Sequence, residues 1–169
     1  MPWSIIFRYS LHALGFGLAA GAVWLIWRLK IARRPMDRRG WLQLLTVFYL
    51  AMVLEIIGLR LGLHTIRLLS RRAHLVPLQT TRTTWRRGPG TFIYHVFGNL
   101  MWFMPLGFLL PRLKPGCRWY HALLAGAALS VTVELLQYLL GTGMPDIDDV
   151  MLNTTGALLG FWIFNRRRA

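Results

Sequence analysis

Apolar residues in this chain come in long runs, and the breaks between them are short and mostly basic. Four runs, at 9–27, 41–63, 91–110 and 119–140, come close to or exceed the ~20 residues that a helix needs to cross a bilayer. A fifth, at 149–164, is shorter and opens on a polar turn. This pattern predicts an all-α fold, a polytopic membrane helix bundle with about five transmembrane helices. Trp24, Trp27, Trp41, Trp102, Trp119 and Trp162 fall mostly near the predicted span ends, where interfacial aromatics belong. The first run passes straight into Arg28-Leu29-Lys30 without a small-residue cleavage site, so it is expected to be a retained helix.

Charge refines the picture. Of 169 residues, 20 are Lys or Arg and only 6 are Asp or Glu. Such an excess suits nucleic acid when basic residues are spread over a folded surface. Here they sit in blocks beside the apolar runs, so no nucleic-acid partner is expected and the partners are membrane lipids. Three segments, 28–40, 111–118 and 165–169, hold six, three and three Lys or Arg and share one side of a five-span topology. Segment 141–148, on the other side, has none. The positive-inside rule then puts the carboxyl terminus in the cytoplasm and the amino terminus outside. The connection 60–90 carries seven Arg on the outer side, and the rule weakens for long loops. Within it, "LHTIRLLSRRAHL" is either an amphipathic surface segment or a solvated basic loop. The Thr-rich "PLQTTRTTWRRGPG" is expected to be irregular. One integral membrane domain results: two spans over 1–63, a basic extracytoplasmic connection over 64–90, and a three-helix core with a basic tail over 91–169. Cys117 stands alone, which rules out an intramolecular disulfide and a Cys-based metal site.

Polar residues inside the spans carry the candidate chemistry. His95, Asn99 and Trp102 share a face of the third span, Ser130, Glu134, Gln137 and Gly141 one of the fourth, and Asp149, Asn153, Gly156 and Gly160 one of the fifth. Gly156-x-x-x-Gly160 is the spacing that lets two helices approach closely. A charged group facing lipid costs up to about 2.5–3.5 kcal/mol on insertion scales, so Glu134 is expected to turn inward toward Gln137, Asn99, His95 and Asn153. Asp146, Asp148 and Asp149 hold half of the chain's acidic residues within four positions and are expected at the rim above them. Capping of the fifth helix accounts for one of these three. Pro105 reads as a helix kink, and Glu55, near Arg60, as a member of an internal ion pair or an interface residue.

The segments "GNLMWFMPLGFLLP", "SVTVELLQYLL" and "DIDDVMLNTTGALLGF", preceded by "HLVPLQTTRT", together resemble the VanZ-like family of bacterial membrane proteins. The resemblance implies a multi-pass protein of the bacterial cytoplasmic membrane, in a family whose namesake is associated with teicoplanin resistance. It marks Asn99, Pro105, Gly107, Glu134, Gln137, Asp146, Asp148, Asp149, Asn153 and Gly156 as motif positions. In two places the chain departs from the family pattern. No Asn precedes Pro77, and no basic residue precedes Asp146, so a cation beside Asp146 would have to come from Arg82 or Arg86.

Three functions remain open at this level. In the first, a polar pocket of Asn99, Glu134, Gln137, Asp146, Asp148, Asp149 and Asn153, with Arg82 and Arg86, binds or shields an amphiphilic or lipid-linked ligand at the outer leaflet. Its partner would be a lipid-linked cell-wall precursor or a lipoglycopeptide of the teicoplanin type. In the second, a membrane-embedded enzyme uses Glu134 and Asp149 as acid and base, with His95 as a further catalytic candidate, or holds a hard divalent cation on the carboxylates. In the third, the polar stripes serve helix packing alone. The chain has no nucleophile motif, no metal-ligand signature and no phosphate loop, so no cofactor is expected.

Overall fold

A computed structural model describes residues 3–55 and 73–165, which form two compact units, Met1–Ile66 and Arg67–Ala169. Among the described residues there are six α-helices and no strands. Three stretches, Leu11–Ile31, Pro89–Leu113 and Trp119–Leu140, are long and apolar enough to cross a membrane. The protein is a helical membrane bundle.

In the N-terminal unit, α1 (Trp3–Ile26) continues into a π-helical turn, Trp27–Ile31, and packs against α2 (Arg38–Val53). Asp37 caps α2, its Oδ1 accepting from the Gly40 N–H at 2.7 Å. Gly17 and Gly21 give α1 a flat strip against Phe48, Met52 and Leu44. The distal part of the second predicted span, Arg60 and most of "LHTIRLLSRRAHL" lie outside the described residues. Glu55 is buried, and its Oε2 has no hydrogen-bond partner among the described residues.

The C-terminal unit holds α3 (Gln79–Arg87), α4 (Pro89–Leu113), α5 (Trp119–Leu140) and α6 (Ile147–Asn165). α6 packs along both α4 and α5, which touch each other far less. That central place requires small residues. A methyl group on Gly107 would overlap the backbone of Ala157, one on Gly156 that of Leu100, and one on Gly160 that of Met104. On the α5 side, a methyl on Gly126 would come within 2.8 Å of the Ala157 side chain. The helices therefore meet backbone to backbone, the contact that association within lipid favours. Outward-facing Tyr94, Met101, Leu124 and Val131 remain exposed, as lipid-facing positions should.

One expectation needs correction. The Thr-rich stretch is not irregular: residues 79–87 form α3, started by Leu78 in a left-handed conformation (φ 62°) and ended at Gly88 (φ 119°). Two of its Thr hydroxyls are satisfied within the helix, Thr83 and Thr84 donating to the carbonyls of Gln79 and Thr81. Trp85 stacks edge-on against Phe92 of α4 across the Gly88 break, with ring centroids 5.0 Å apart. Pro105 and Pro111 both lie inside α4, which continues past each. Neighbouring helices can hold such a segment helical where a proline removes one N–H.

Gly107→Ala and Gly160→Ala should each destabilise the protein by about 1–3 kcal/mol through overpacking against backbone. Gly98→Ala, where a methyl would meet open space, should be neutral or slightly stabilising. Thermal denaturation of the purified protein in detergent, followed by loss of monodisperse elution, measures all three.

Candidate functional site

The three aspartates at the start of α6 occupy i, i+2 and i+3, and successive residues of a helix point about 100° apart. Each therefore leaves the helix in a different direction and reaches a different neighbour. Asp146 stands just before α6 and caps it, its Oδ1 accepting from the Asp148 N–H at 2.9 Å. Its own N–H donates to Glu134 Oε2 of α5, also at 2.9 Å. Its other oxygen lies 3.4 Å from His74 Nδ1, which is 3.2 Å from Thr80 Oγ1. Backbone bonds tie the same strip of chain: the His74 N–H donates to Pro145 O at 2.7 Å and the Ile147 N–H to His74 O at 2.9 Å.

Asp148 reaches α3. Its Oδ2 accepts from the Thr81 N–H at 2.8 Å and its Oδ1 from the Leu78 N–H in a short contact. Only 1% of Asp148 is exposed. A left-handed Leu is strained by about 1–3 kcal/mol, and the carboxylate holds it by binding that residue's own N–H. Asp148 lies ahead of the predicted fifth span. Desolvation pushes its pKa up, but the Thr81 and Leu78 hydrogen bonds outweigh this and leave the carboxyl below its ordinary value.

Asp149 reaches α4. Its Oδ1 accepts from Asn99 Nδ2 at 2.8 Å and lies 3.6 Å from His95 Nδ1. Asn99 also donates to the His95 carbonyl at 3.0 Å, which fixes its amide along the helix. His95 is largely buried, and its Nε2 has no hydrogen-bond partner among the described residues. Asp149 keeps 26% of its side chain exposed. One turn further along α6, Asn153 Nδ2 donates to Ser130 Oγ of α5 at 2.9 Å, both residues being fully buried.

The structure thus brings Glu134 to Asp146 and Asn99 and His95 to Asp149, while Asp148 meets the start of α3 and Asn153 meets Ser130. Glu134 turns inward as expected and holds the backbone of Asp146. Gln137 is buried against Gly143, where a methyl group would sit 2.7 Å from its Oε1. Arg82 and Arg86 lie on the exposed side of α3, and no described carboxylate pairs with either. The basic side chain near Asp146 is His74, which the sequence reading had passed over. Its signal lay in "HLVPLQTTRT", the segment that also supplies Leu78, Thr80 and Thr81. No group of three or more His, Cys, Asp or Glu among the described residues is arranged to hold a metal ion.

Fold and site together define a polytopic helical membrane protein whose central helix is clasped at one end by its own aspartates. The chain belongs to the VanZ/LLP1 family, whose model matches residues 40–168. Neither a curated protein nor a solved structure matches it.

Asp148→Asn should lower thermal stability by about 1–3 kcal/mol, the cost of weakening two buried N–H bonds to a charge. A depressed carboxyl stabilises the fold fully above its unfolded pKa and loses that contribution as pH falls through the folded value. The difference between wild-type and D148N melting temperatures should therefore be constant above about pH 4 and shrink below it.

Proposed function

We propose that this protein binds the headgroup of an amphiphilic or lipid-linked molecule at the membrane surface where α6 begins, with His95, Asn99 and Asp149 as the recognising residues. One observation carries this reading. Asp146 and Asp148 are occupied by backbone and cap bonds, whereas Asp149 is partly exposed beside an imidazole whose Nε2 has no partner among the described residues. A buried polar atom left unsatisfied costs about 1–3 kcal/mol, and a hydroxyl or amine on a ligand relieves it. The exposed Arg82 and Arg86 on α3 add positive charge that attracts a phosphate-bearing headgroup.

The positive-inside count supports an orientation with this end at the outer leaflet of the bacterial cytoplasmic membrane and the carboxyl terminus in the cytoplasm. There a lipid-linked wall precursor or a lipoglycopeptide of the teicoplanin type is a suitable ligand. Shielding one from the other would contribute to glycopeptide resistance. An enzymatic reading is favoured by one feature only. His95 Nδ1 lies 3.6 Å from a carboxylate while Nε2 has no partner among the described residues, the arrangement of an imidazole oriented as a base. Glu134, engaged with the Asp146 N–H, is less suited to the acid role.

Purified protein in nanodiscs should retain a lipid-linked peptidoglycan precursor, and His95→Gln or Asp149→Asn should weaken retention about tenfold, as loss of a charged or buried hydrogen bond does. Equal retention by wild type and both variants, each folded by its melting curve, rejects the proposal. Conversion of the precursor in the same incubation, lost in H95Q, would replace binding by catalysis.

A further inference from the structure

The N-terminal unit contains a feature that the binding reading above does not use. Where α1 gives way to α2, a cavity of about 330 Å³ is lined by Arg28, Arg34, Pro35, Asp37, Arg39 and Gln43. Three of these residues are cations and one is an anion. The anion is already occupied: Asp37 Oδ1 accepts from Arg28 Nη2 at 2.8 Å and from the Gly40 N–H at 2.7 Å.

Arg28 forms the floor of this cavity. It is 7% exposed, donates to Gln43 Oε1 and to the Pro35 carbonyl at 2.9 Å each, and lies over the Trp24 ring. Gly40 is required beside it, since a methyl group there would come within 2.8 Å of the guanidinium. The wall is therefore rigid, and its charge is balanced within the protein. Arg34 and Arg39 are different: both are exposed, and neither pairs with a carboxylate among the described residues. Two arginines with no carboxylate partner among the described residues thus line a pre-formed hollow. Arg is the residue suited to binding phosphate oxygens two at a time.

Depth identifies the source of the anion. Trp27 and Trp41, both about half exposed, flank this turn, and exposed tryptophans mark the headgroup level of a bilayer. We infer that the cavity between α1 and α2 is a phosphate-binding site that takes the headgroup of an anionic phospholipid, with Arg34 and Arg39 as its ligands on the rigid base built by Arg28. The site belongs to the N-terminal unit and does not rest on the function proposed for α6.

The test is a lipid titration of the full chain in detergent, read by native mass spectrometry, with phosphatidylglycerol and phosphatidylcholine. Wild type should retain phosphatidylglycerol selectively. Arg34→Gln with Arg39→Gln should raise the half-saturating concentration about tenfold, each single variant giving part of the loss. Arg33→Gln with Arg38→Gln removes the same charge from the same turn outside the cavity and should stay within about twofold of wild type. Melting curves without lipid confirm that each variant is folded. Equal losses in the two double variants would reduce the effect to general surface charge and overturn the site, as would full binding by R34Q/R39Q. Inorganic phosphate, titrated in parallel, should compete only weakly. Arg34- and Arg39-dependent binding of phosphate without binding of phosphatidylglycerol would overturn the lipid assignment.

Discussion

A carboxylate taken out of water must find donors, and this constraint shapes the whole C-terminal unit. Asp146, Asp148 and Glu134 are nearly or fully buried, and backbone N–H groups meet all three. Backbone donors suit this task because they are held by helix and turn geometry and lose no side-chain freedom on engagement. The first turn of α6 adds its own partial positive charge, which offsets the mutual repulsion of three neighbouring aspartates. The cluster thus acts as a clasp. One helix end is joined to α5 through Glu134, to α3 through the Leu78 and Thr81 amides, and to α4 through Asn99.

The clasp and the glycine contacts depend on each other. Gly107, Gly156 and Gly160 bring α4 and α6 together at backbone distance, which brings Asn99 within reach of Asp149. On the α5 side, Gly126 lies against Ala157 while Ser130 and Asn153 join one turn nearer the aspartates. In lipid, apolar burial gives little net drive for helices to associate, so close contact and buried hydrogen bonds must do so together. A wider helix spacing would strand the polar groups, and a broken polar group would leave only van der Waals contact to hold the glycine faces.

The main elements were legible because the bilayer imposes simple rules. Length and apolarity located 119–140 to the residue and came within two residues at each end of α6 and at the start of α4, whose far end extends to Leu113. The inward turn of Glu134 followed from the cost of the alternative. Two features did not follow. α3 is a polar helix of nine residues whose start depends on the Leu78 and Thr81 amides meeting Asp148, some 70 positions away, and no local pattern carries such a contact. The partition of the aspartates was hidden for a related reason. Sequence spacing shows that three acids share one helix turn, but not which neighbour each will face. The three aspartates reach different neighbours, and the role of His74 arises only once residues 74 and 145–147 lie side by side.

Structure and function can share a cluster of this kind only if its hydrogen-bonding capacity is not used up. Asp148 has both oxygens engaged by backbone, and Asp146 divides its oxygens between the Asp148 N–H and His74. A ligand drawn to either would have to displace bonds that hold the fold. Asp149 differs in kind: its partners are side chains of α4, its surface is partly open, and the Nε2 of the adjacent His95 has no partner among the described residues. Binding is least costly where side chains rather than backbone form the first contacts, since side chains reorient without disturbing the helices. For this reason an external contact at the α4–α6 edge of the clasp would displace fewer of the bonds that hold the fold than one at its buried centre.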